Sequence, residues 1–304
     1  MSQSRALERS IPSIIITATC LHLAVGLAVL VLWKVTGKLS LITAFFNYPG
    51  ALFLVGGSAA EVALSWHCWR QFEAGEPLGK AWLWITGAAA CHLAGSVMGQ
   101  IFGANSYLNP LVYIDPVSLR SVMEIARKTG PLIGGPLEMA LLARGLWYVL
   151  GVYRRSGLFS RLTRADWLLM LGLAAYTIRE AWQVVAALQS GKVADAFEMI
   201  GWTSDPLLIL LLAQAICIRR SVLSMGWGLI ARCWGAFAAA VALTALGDIG
   251  LWANWSGYLP WPWNSITWYV WFVAAAGYVL GPAYQVEAFR QARHIVTPCL
   301  RRAA

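Results

Sequence analysis

Eight long apolar runs are the feature that most restricts what this chain can fold into. A helix of roughly 20 residues crosses a hydrocarbon core of about 30 Å, and such a helix satisfies its backbone hydrogen bonds within its own segment. The runs approach or exceed this length, over residues 12–34, 50–70, 81–104, 131–153, 166–189, 205–221, 228–252 and 264–287. The sequence therefore predicts an all-α integral membrane protein, a single bundle of eight transmembrane helices.

The composition agrees with this prediction. The 304 residues are 59% hydrophobic and only 12% charged, whereas an average soluble domain is about 25% charged. The connections between the runs are too short to hold a separate soluble domain. Residues 1–304 are therefore expected to form one polytopic transmembrane domain.

Basic residues are concentrated in every second connection between the runs. The connection between runs 4 and 5 contains Arg154, Arg155, Arg161 and Arg164, whereas the one between runs 7 and 8 contains no lysine or arginine. By the positive-inside rule, this asymmetry predicts that both termini are cytoplasmic, in a multi-pass protein of the bacterial inner membrane. The net charge of +9 then reflects topology and lipid headgroups. Membrane lipids and other membrane subunits, not nucleic acid, are the expected partners.

A weak internal repeat divides the chain into four helical hairpins. Small or proline-containing triplets occur in the even-numbered runs at 56–58, 134–136, 204–206 and 280–282, and the segment EVALSWH at 61–67 aligns with EMALLAR at 138–144. Such residues permit kinks and close helix approach. We expect breaks or kinks at 134–136 and 281–282. Short interfacial helices are expected on the outer face, within 115–130 and 191–201.

Ionisable side chains inside the predicted spans are the candidate functional residues. A charge at the centre of a membrane helix costs about 2.5–3.5 kcal/mol on insertion scales and usually faces a partner or a wet cavity. Six such residues are Glu61, Glu138, Arg144, Arg179, Glu180 and Asp248. One interpretation is that these residues only pair to lock the bundle. The other is that an acid without a partner binds a proton or a cation.

The leading functional hypothesis is binding and translocation of a proton, a cation or a small amphipathic solute at an outward-facing site. In this hypothesis the acids Glu138, Glu180 and Asp248 bind, and Glu61 relays toward the inner half of the membrane. The bases Arg144 and Arg179 tune the acids or hold an anionic group.

Two histidines support a competing hypothesis. His22 in run 1 and His92 in run 3 fall at similar depth and could be axial ligands of a b-type haem in a redox or pigment-binding subunit. The alternative is that each imidazole forms a hydrogen bond with a neighbouring helix. The sequence contains no recognisable metal-binding motif, so no metal site is predicted.

Tryptophans crowd the outer ends of runs 7 and 8 and the connection between them, at positions 252, 255, 261, 263, 268 and 271. They are typical of an aromatic belt at the membrane surface, or they could line a pocket. A third hypothesis follows from the second reading: a membrane-embedded acid/base enzyme that acts on a lipid or isoprenoid, with Glu138 or Asp248 as the acid. The sequence leaves open whether the protein is an enzyme.

Overall fold

The computed structural model describes residues 10–100, 129–191, 205–224, 226–255, 257–259, 263 and 265–303. Across these residues the regular secondary structure is entirely helical, which confirms the predicted all-α class. The α-helices are α1 (Ile11–Thr36), α2 (Leu39–Phe45), α3 (Ala51–Trp69), α4 (Pro77–Gln100), α5 (Glu138–Arg155), α6 (Arg164–Gln189), α7 (Asp205–Leu223), α8 (Leu229–Trp255) and α9 (Ser265–Ala303).

Six helical segments in the described part of the chain are long and apolar enough to cross a membrane. They are Ile11–Thr36, Leu39–Trp69, Pro77–Gly99, Pro206–Leu223, Leu229–Asn254 and Ser265–Arg293. These segments are compatible with a multi-pass membrane protein. Helices α5 and α6, which match predicted runs 4 and 5, are not among them. Both carry several charged residues, including Glu138 and Arg144 in α5. The count of eight spans, the arrangement in hairpins and the orientation in the membrane stay predictions.

Six helices form a closed ring. Each packs against the next in the order α3, α4, α5, α7, α8 and α9, and α9 returns to pack against α3. Helix α1 packs against α9 on the outside of the ring, and α6 packs against α7. Large side chains such as Trp82, Leu146 and Phe237 are fully buried between these helices. The ring therefore brings residues that are distant in sequence to a common interior.

Helix α4 and the residues immediately before α5 approach each other closely through glycines. A Cβ atom added to Gly95 would lie 2.6 Å from the Cα atom of Gly134, which leaves no room for a side chain. Small residues at such positions let membrane helices pack backbone against backbone. Since His92 lies one turn before Gly95 and Glu138 one turn after Gly134, this contact brings the two ionisable residues to the same level.

Two short π-helices, Phe46–Gly50 and Ile133–Leu137, contain Pro49 and Pro136. Proline lacks a backbone N–H and its ring clashes with the carbonyl four residues earlier, and a widened π turn is a common way to absorb such a defect. The break predicted at 134–136 therefore coincides with a departure from α-helical geometry. Helix α9, in contrast, continues as α-helix through Gly281 and Pro282.

The predicted interfacial helices over 115–130 and 191–201 lie almost entirely outside the described residues.

Candidate functional site

A partly buried histidine of the ring lies beside two buried glutamates. Helix α3 contributes Glu61, α4 contributes His92 and α5 contributes Glu138. The Nδ1 atom of His92 is 2.9 Å from Oε2 of Glu61 and 4.0 Å from Oε1 of Glu138. Both glutamates are only 4% exposed. These three residues are called the glutamate–histidine site below.

The buried face of α3 explains the position of Glu61. The buried residues of this helix are Ser58, Glu61, Ser65 and Cys68, with spacings of three, four and three residues. These spacings place all four side chains on one side of an α-helix. That side faces the neighbouring helices, as is usual for an ionisable residue within a membrane segment.

The charges of the glutamate–histidine site do not balance. An ionised carboxylate can only accept hydrogen bonds, so Nδ1–H of His92 donates to Glu61 when Glu61 is ionised. A protonated imidazole compensates one carboxylate, and ionisation of both glutamates leaves one negative charge over. An uncompensated buried charge costs several kcal/mol. The site therefore favours a state in which one more proton or cation is bound.

Two hydroxyl groups extend the site toward α8. The ring of Tyr278 lies edge-on to His92 with 6.0 Å between ring centroids, and its hydroxyl oxygen is 3.3 Å from Oγ1 of Thr244. Because Thr244 donates its own hydrogen to the carbonyl of Ala240 at 3.0 Å, Tyr278 is the donor to Thr244. The carboxylate of Asp248, one turn further along α8, lies close enough to interact electrostatically with the Tyr278 hydroxyl.

A serine extends the site in the other direction. Ser65 lies one turn after Glu61 on the same face of α3, and it is fully buried. Its Oγ atom has no hydrogen-bond partner among the described residues.

Sequence reasoning missed Tyr278, Thr244 and Ser65. An uncharged hydroxyl in an apolar segment does not stand out in the sequence, so Tyr278 and Thr244 could not have been selected. Ser65 could have been selected, because it lies four residues after Glu61 and such residues share a helix face.

The two predicted arginines lie elsewhere. Arg144 is exposed and its guanidinium lies 5.0 Å from the ring centroid of Tyr148, while that of Arg179 lies 4.1 Å from the ring centroid of Trp252. Arg144 lies six positions after Glu138, which corresponds to a rotation of about 240° around an α-helix. This rotation explains why the two side chains point to different sides. The structure therefore does not bring Arg144 to Glu61 and Glu138.

Glu180 belongs to α6, but its side chain lies outside what the structure describes.

The two histidines have different surroundings. The ring of His22 is stacked on Phe53 at 4.3 Å and on Phe45 at 5.0 Å, and it meets the edge of Phe272 at 4.6 Å. His92, in contrast, forms a hydrogen bond with Glu61. The hydrogen bond expected of each imidazole is thus present for His92, whereas the buried Nε2 atom of His22 has no hydrogen-bond partner among the described residues. The haem hypothesis stays a prediction.

Within the described residues, histidine, cysteine, aspartate and glutamate side chains form no group of three or more that could hold a metal ion. Comparisons of the chain with protein-family models, with curated proteins and with solved structures find no match. The function is therefore inferred from the geometry of the glutamate–histidine site alone.

Proposed function

We propose that this protein binds protons at the glutamate–histidine site and transfers them across the membrane. One observation carries the proposal: the His92 Nδ1 atom lies between two buried carboxyl groups, at 2.9 Å from Glu61 and 4.0 Å from Glu138. These separations allow the imidazole to exchange a proton with either glutamate after a small movement of its ring.

The charge balance favours a proton as the bound species. Among the described contacts, His92 is the basic side chain next to both carboxylates, and Arg144 faces away from them. A state with an imidazolium, one carboxylate and one protonated carboxyl group has no net charge. Loss of one proton leaves a net negative charge in the low-dielectric interior, which is unfavourable. Glu138 carries the exchangeable proton because Glu61 already accepts the shorter hydrogen bond.

A line of polar groups supports transfer through the ring. It runs from Asp248 to Thr244 and Tyr278, then through the glutamate–histidine site, and on to Ser65. Chains of hydroxyl, imidazole and carboxyl groups are the usual components of proton relays in membrane proteins, and ordered water bridges gaps longer than a direct hydrogen bond. The line thus places polar groups on both sides of the glutamate–histidine site along the ring.

Proton movement in proteoliposomes tests the proposal. The purified protein is reconstituted with an internal pH-sensitive dye, and an inward pH gradient is imposed at a clamped membrane potential. We expect the wild type to acidify the vesicle interior and Glu138→Gln or Glu61→Gln to abolish this acidification. Arg144→Gln is the matched control, because it removes a charge from α5 on its exposed side.

A second measurement reports proton binding directly. The infrared band of a protonated carboxyl group is expected in the wild type and is expected to be lost in Glu138→Gln. If Glu138→Gln folds normally and retains both the band and the proton movement, or if the wild type moves no protons, the proposal is wrong.

A further inference from the structure

The contact between α3 and α9 contains buried polar groups that lead away from the glutamate–histidine site. The two helices run in the same direction, since Gly57 lies beside Val279 and Phe72 lies beside Phe289. Each helix buries three residues at spacings of four and three, which fall on one helix face. These residues are Glu61, Ser65 and Cys68 on α3, and Tyr278, Pro282 and Gln285 on α9. The two rows are called the α3–α9 seam below.

Polar atoms within the seam lack the partners that buried groups normally have. The Sγ atom of Cys68 lies 3.6 Å from the carbonyl oxygen of Pro282, so the two rows face each other at this level. One turn closer to the site, the Oγ atom of Ser65 has no hydrogen-bond partner among the described residues. On α9, Pro282 has no N–H and therefore donates no helix hydrogen bond to the carbonyl of Tyr278. Buried polar groups of this kind are usually satisfied by water.

A buried amide continues the seam beyond Cys68. Gln285 lies three residues after Pro282 and is only 7% exposed. An amide both donates and accepts hydrogen bonds, so it can orient water molecules on either side of it. The rise from Tyr278 to Gln285 is about 10 Å along the helix, and water bridges protein groups that are too far apart for a direct hydrogen bond.

Aromatic rings close the far end of the seam. Phe72 follows the end of α3, and its ring meets that of Phe289 edge to face with 5.5 Å between the ring centroids. Both rings also pack against the main core. Just beyond them, Arg293 donates a hydrogen bond to the side chain of Gln71. The seam is thus closed at this end in the structure, in agreement with the burial of its polar groups.

We propose that the α3–α9 seam is the proton route between the glutamate–histidine site and this end of the ring, and that the pair of Phe72 and Phe289 is its gate. Separation of the two rings admits water to Gln285 and Ser65, and a chain of water molecules then carries a proton to or from Glu61. Each step passes one proton from one oxygen atom to the next, so no further reactant is consumed. This inference rests on the proposed proton transfer.

Proton movement in the reconstituted protein tests the route. Gln285→Leu removes the amide at similar volume and is expected to slow acidification about tenfold, equivalent to about 1.4 kcal/mol in the barrier. The infrared band of the protonated carboxyl group is expected to stay unchanged, because the glutamate–histidine site is intact. Gln214→Leu is the matched control, since Gln214 is a similarly buried amide, 5% exposed, on α7 and outside the seam. This control is expected to move protons at the wild-type rate.

Cysteine labelling tests the gate without relying on proton movement. In a chain without its native cysteines, Ser65→Cys is expected to react slowly with a small water-soluble methanethiosulfonate reagent. Addition of Phe72→Ala is expected to speed this reaction several-fold, because it removes one ring of the gate. Phe159→Ala is the control, since Phe159 is a partly buried phenylalanine in the connection between α5 and α6.

The outcomes separate this route from the proposed function. The route is wrong if the wild type moves protons and Gln285→Leu moves them equally fast, or if Gln285→Leu and Gln214→Leu slow them by the same factor. Unchanged labelling of Ser65→Cys in the Phe72→Ala background would overturn the gate. A wild type that moves no protons would instead overturn the proposed function, and the route with it.

Discussion

At the scale of single residues, His92 reduces the electrostatic repulsion between two buried carboxyl groups. Glu61 and Glu138 come from different helices and are both nearly inaccessible to solvent. Like charges this close in a low-dielectric interior repel strongly, and a protonated imidazole beside them compensates one of the two charges. The arrangement is therefore a coupled unit, in which the contribution of each side chain depends on the other two.

This coupling predicts non-additive effects on stability. His92→Ala removes the compensating group and is expected to lower the free energy of unfolding by about 3–5 kcal/mol, the usual cost of leaving a buried charge without its partner. In the variant with both Glu61→Gln and His92→Ala, the loss is expected to be smaller than the sum of the two single losses, by about 0.5–3 kcal/mol. Titration with denaturing detergent measures these free energies in each variant.

The matched control for this cycle is Arg144→Gln combined with His92→Ala. Because Arg144 does not contact the glutamate–histidine site, its effect should add to that of His92→Ala. Additive losses for Glu61 and His92 would show that the two residues do not interact, contrary to the 2.9 Å contact.

At the scale of secondary-structure elements, close packing of α4 on α5 sets the geometry of the site. The contact of Gly95 with Gly134 brings the two backbones together, and the π-helix Ile133–Leu137 ends immediately before Glu138. A π turn changes the rotation of the helix that follows it. The direction in which Glu138 points is therefore decided by the elements that precede it.

A larger residue at the contact is expected to separate the helices. Gly95→Ala would place a methyl group 2.6 Å from the Cα atom of Gly134, in the π-helix before α5, which no side-chain movement can relieve. We expect a loss of about 1–3 kcal/mol in the free energy of unfolding, together with a shift of the infrared carboxyl band as Glu138 moves away from His92. Thermal unfolding in detergent and the infrared carboxyl band measure the two effects.

Gly56→Ala is the control for this prediction. An added Cβ atom at Gly56 meets nothing within 4 Å, so this substitution is expected to be neutral, or stabilising by about 0.5–1 kcal/mol because alanine favours the helix more than glycine. Equal effects of Gly95→Ala and Gly56→Ala would contradict the close packing of α4 and α5.

At the scale of the whole molecule, the contact between α3 and α9 closes the six-helix ring. Without this contact the six helices would form an open row, and the Tyr278 side of the polar line would be separated from Glu61. A Cβ atom at Gly57 would lie 3.9 Å from Cγ2 of Val279. This pair of positions therefore reports directly on closure of the ring.

A disulfide between these two positions is the expected outcome. Gly57→Cys combined with Val279→Cys, in a chain without its native cysteines, should cross-link on mild oxidation because the two positions are near the separation that a disulfide requires. A protease site between α5 and α6 allows detection, since cross-linked fragments migrate together on a gel. Gly56→Cys combined with Val279→Cys should not cross-link, and equal cross-linking of both pairs would argue against the described ring.

The sequence by itself determined the elements of this protein, and the tertiary structure decided which side chains share a site. Apolar length and helix propensity are local properties, so the runs around α1, α3, α4 and α8 could be located within a few residues, whereas α9 continues to Ala303, beyond the predicted end at 287. The same local signal made Glu61, His92 and Glu138 conspicuous, since ionisable residues are rare in such runs.

Which side chains of different helices contact one another, however, depends on the rotation of each helix about its axis and on the order in which the helices pack. These two quantities are set by contacts such as Gly95 with Gly134 and by the π turn at Pro136, not by hydropathy. For this reason the sequence grouped Arg144 with the acids, whereas its position about 240° around α5 from Glu138 directs it away. It also left open whether His92 binds a haem or forms a hydrogen bond with a neighbouring helix, because only the folded ring places Glu61 beside that imidazole.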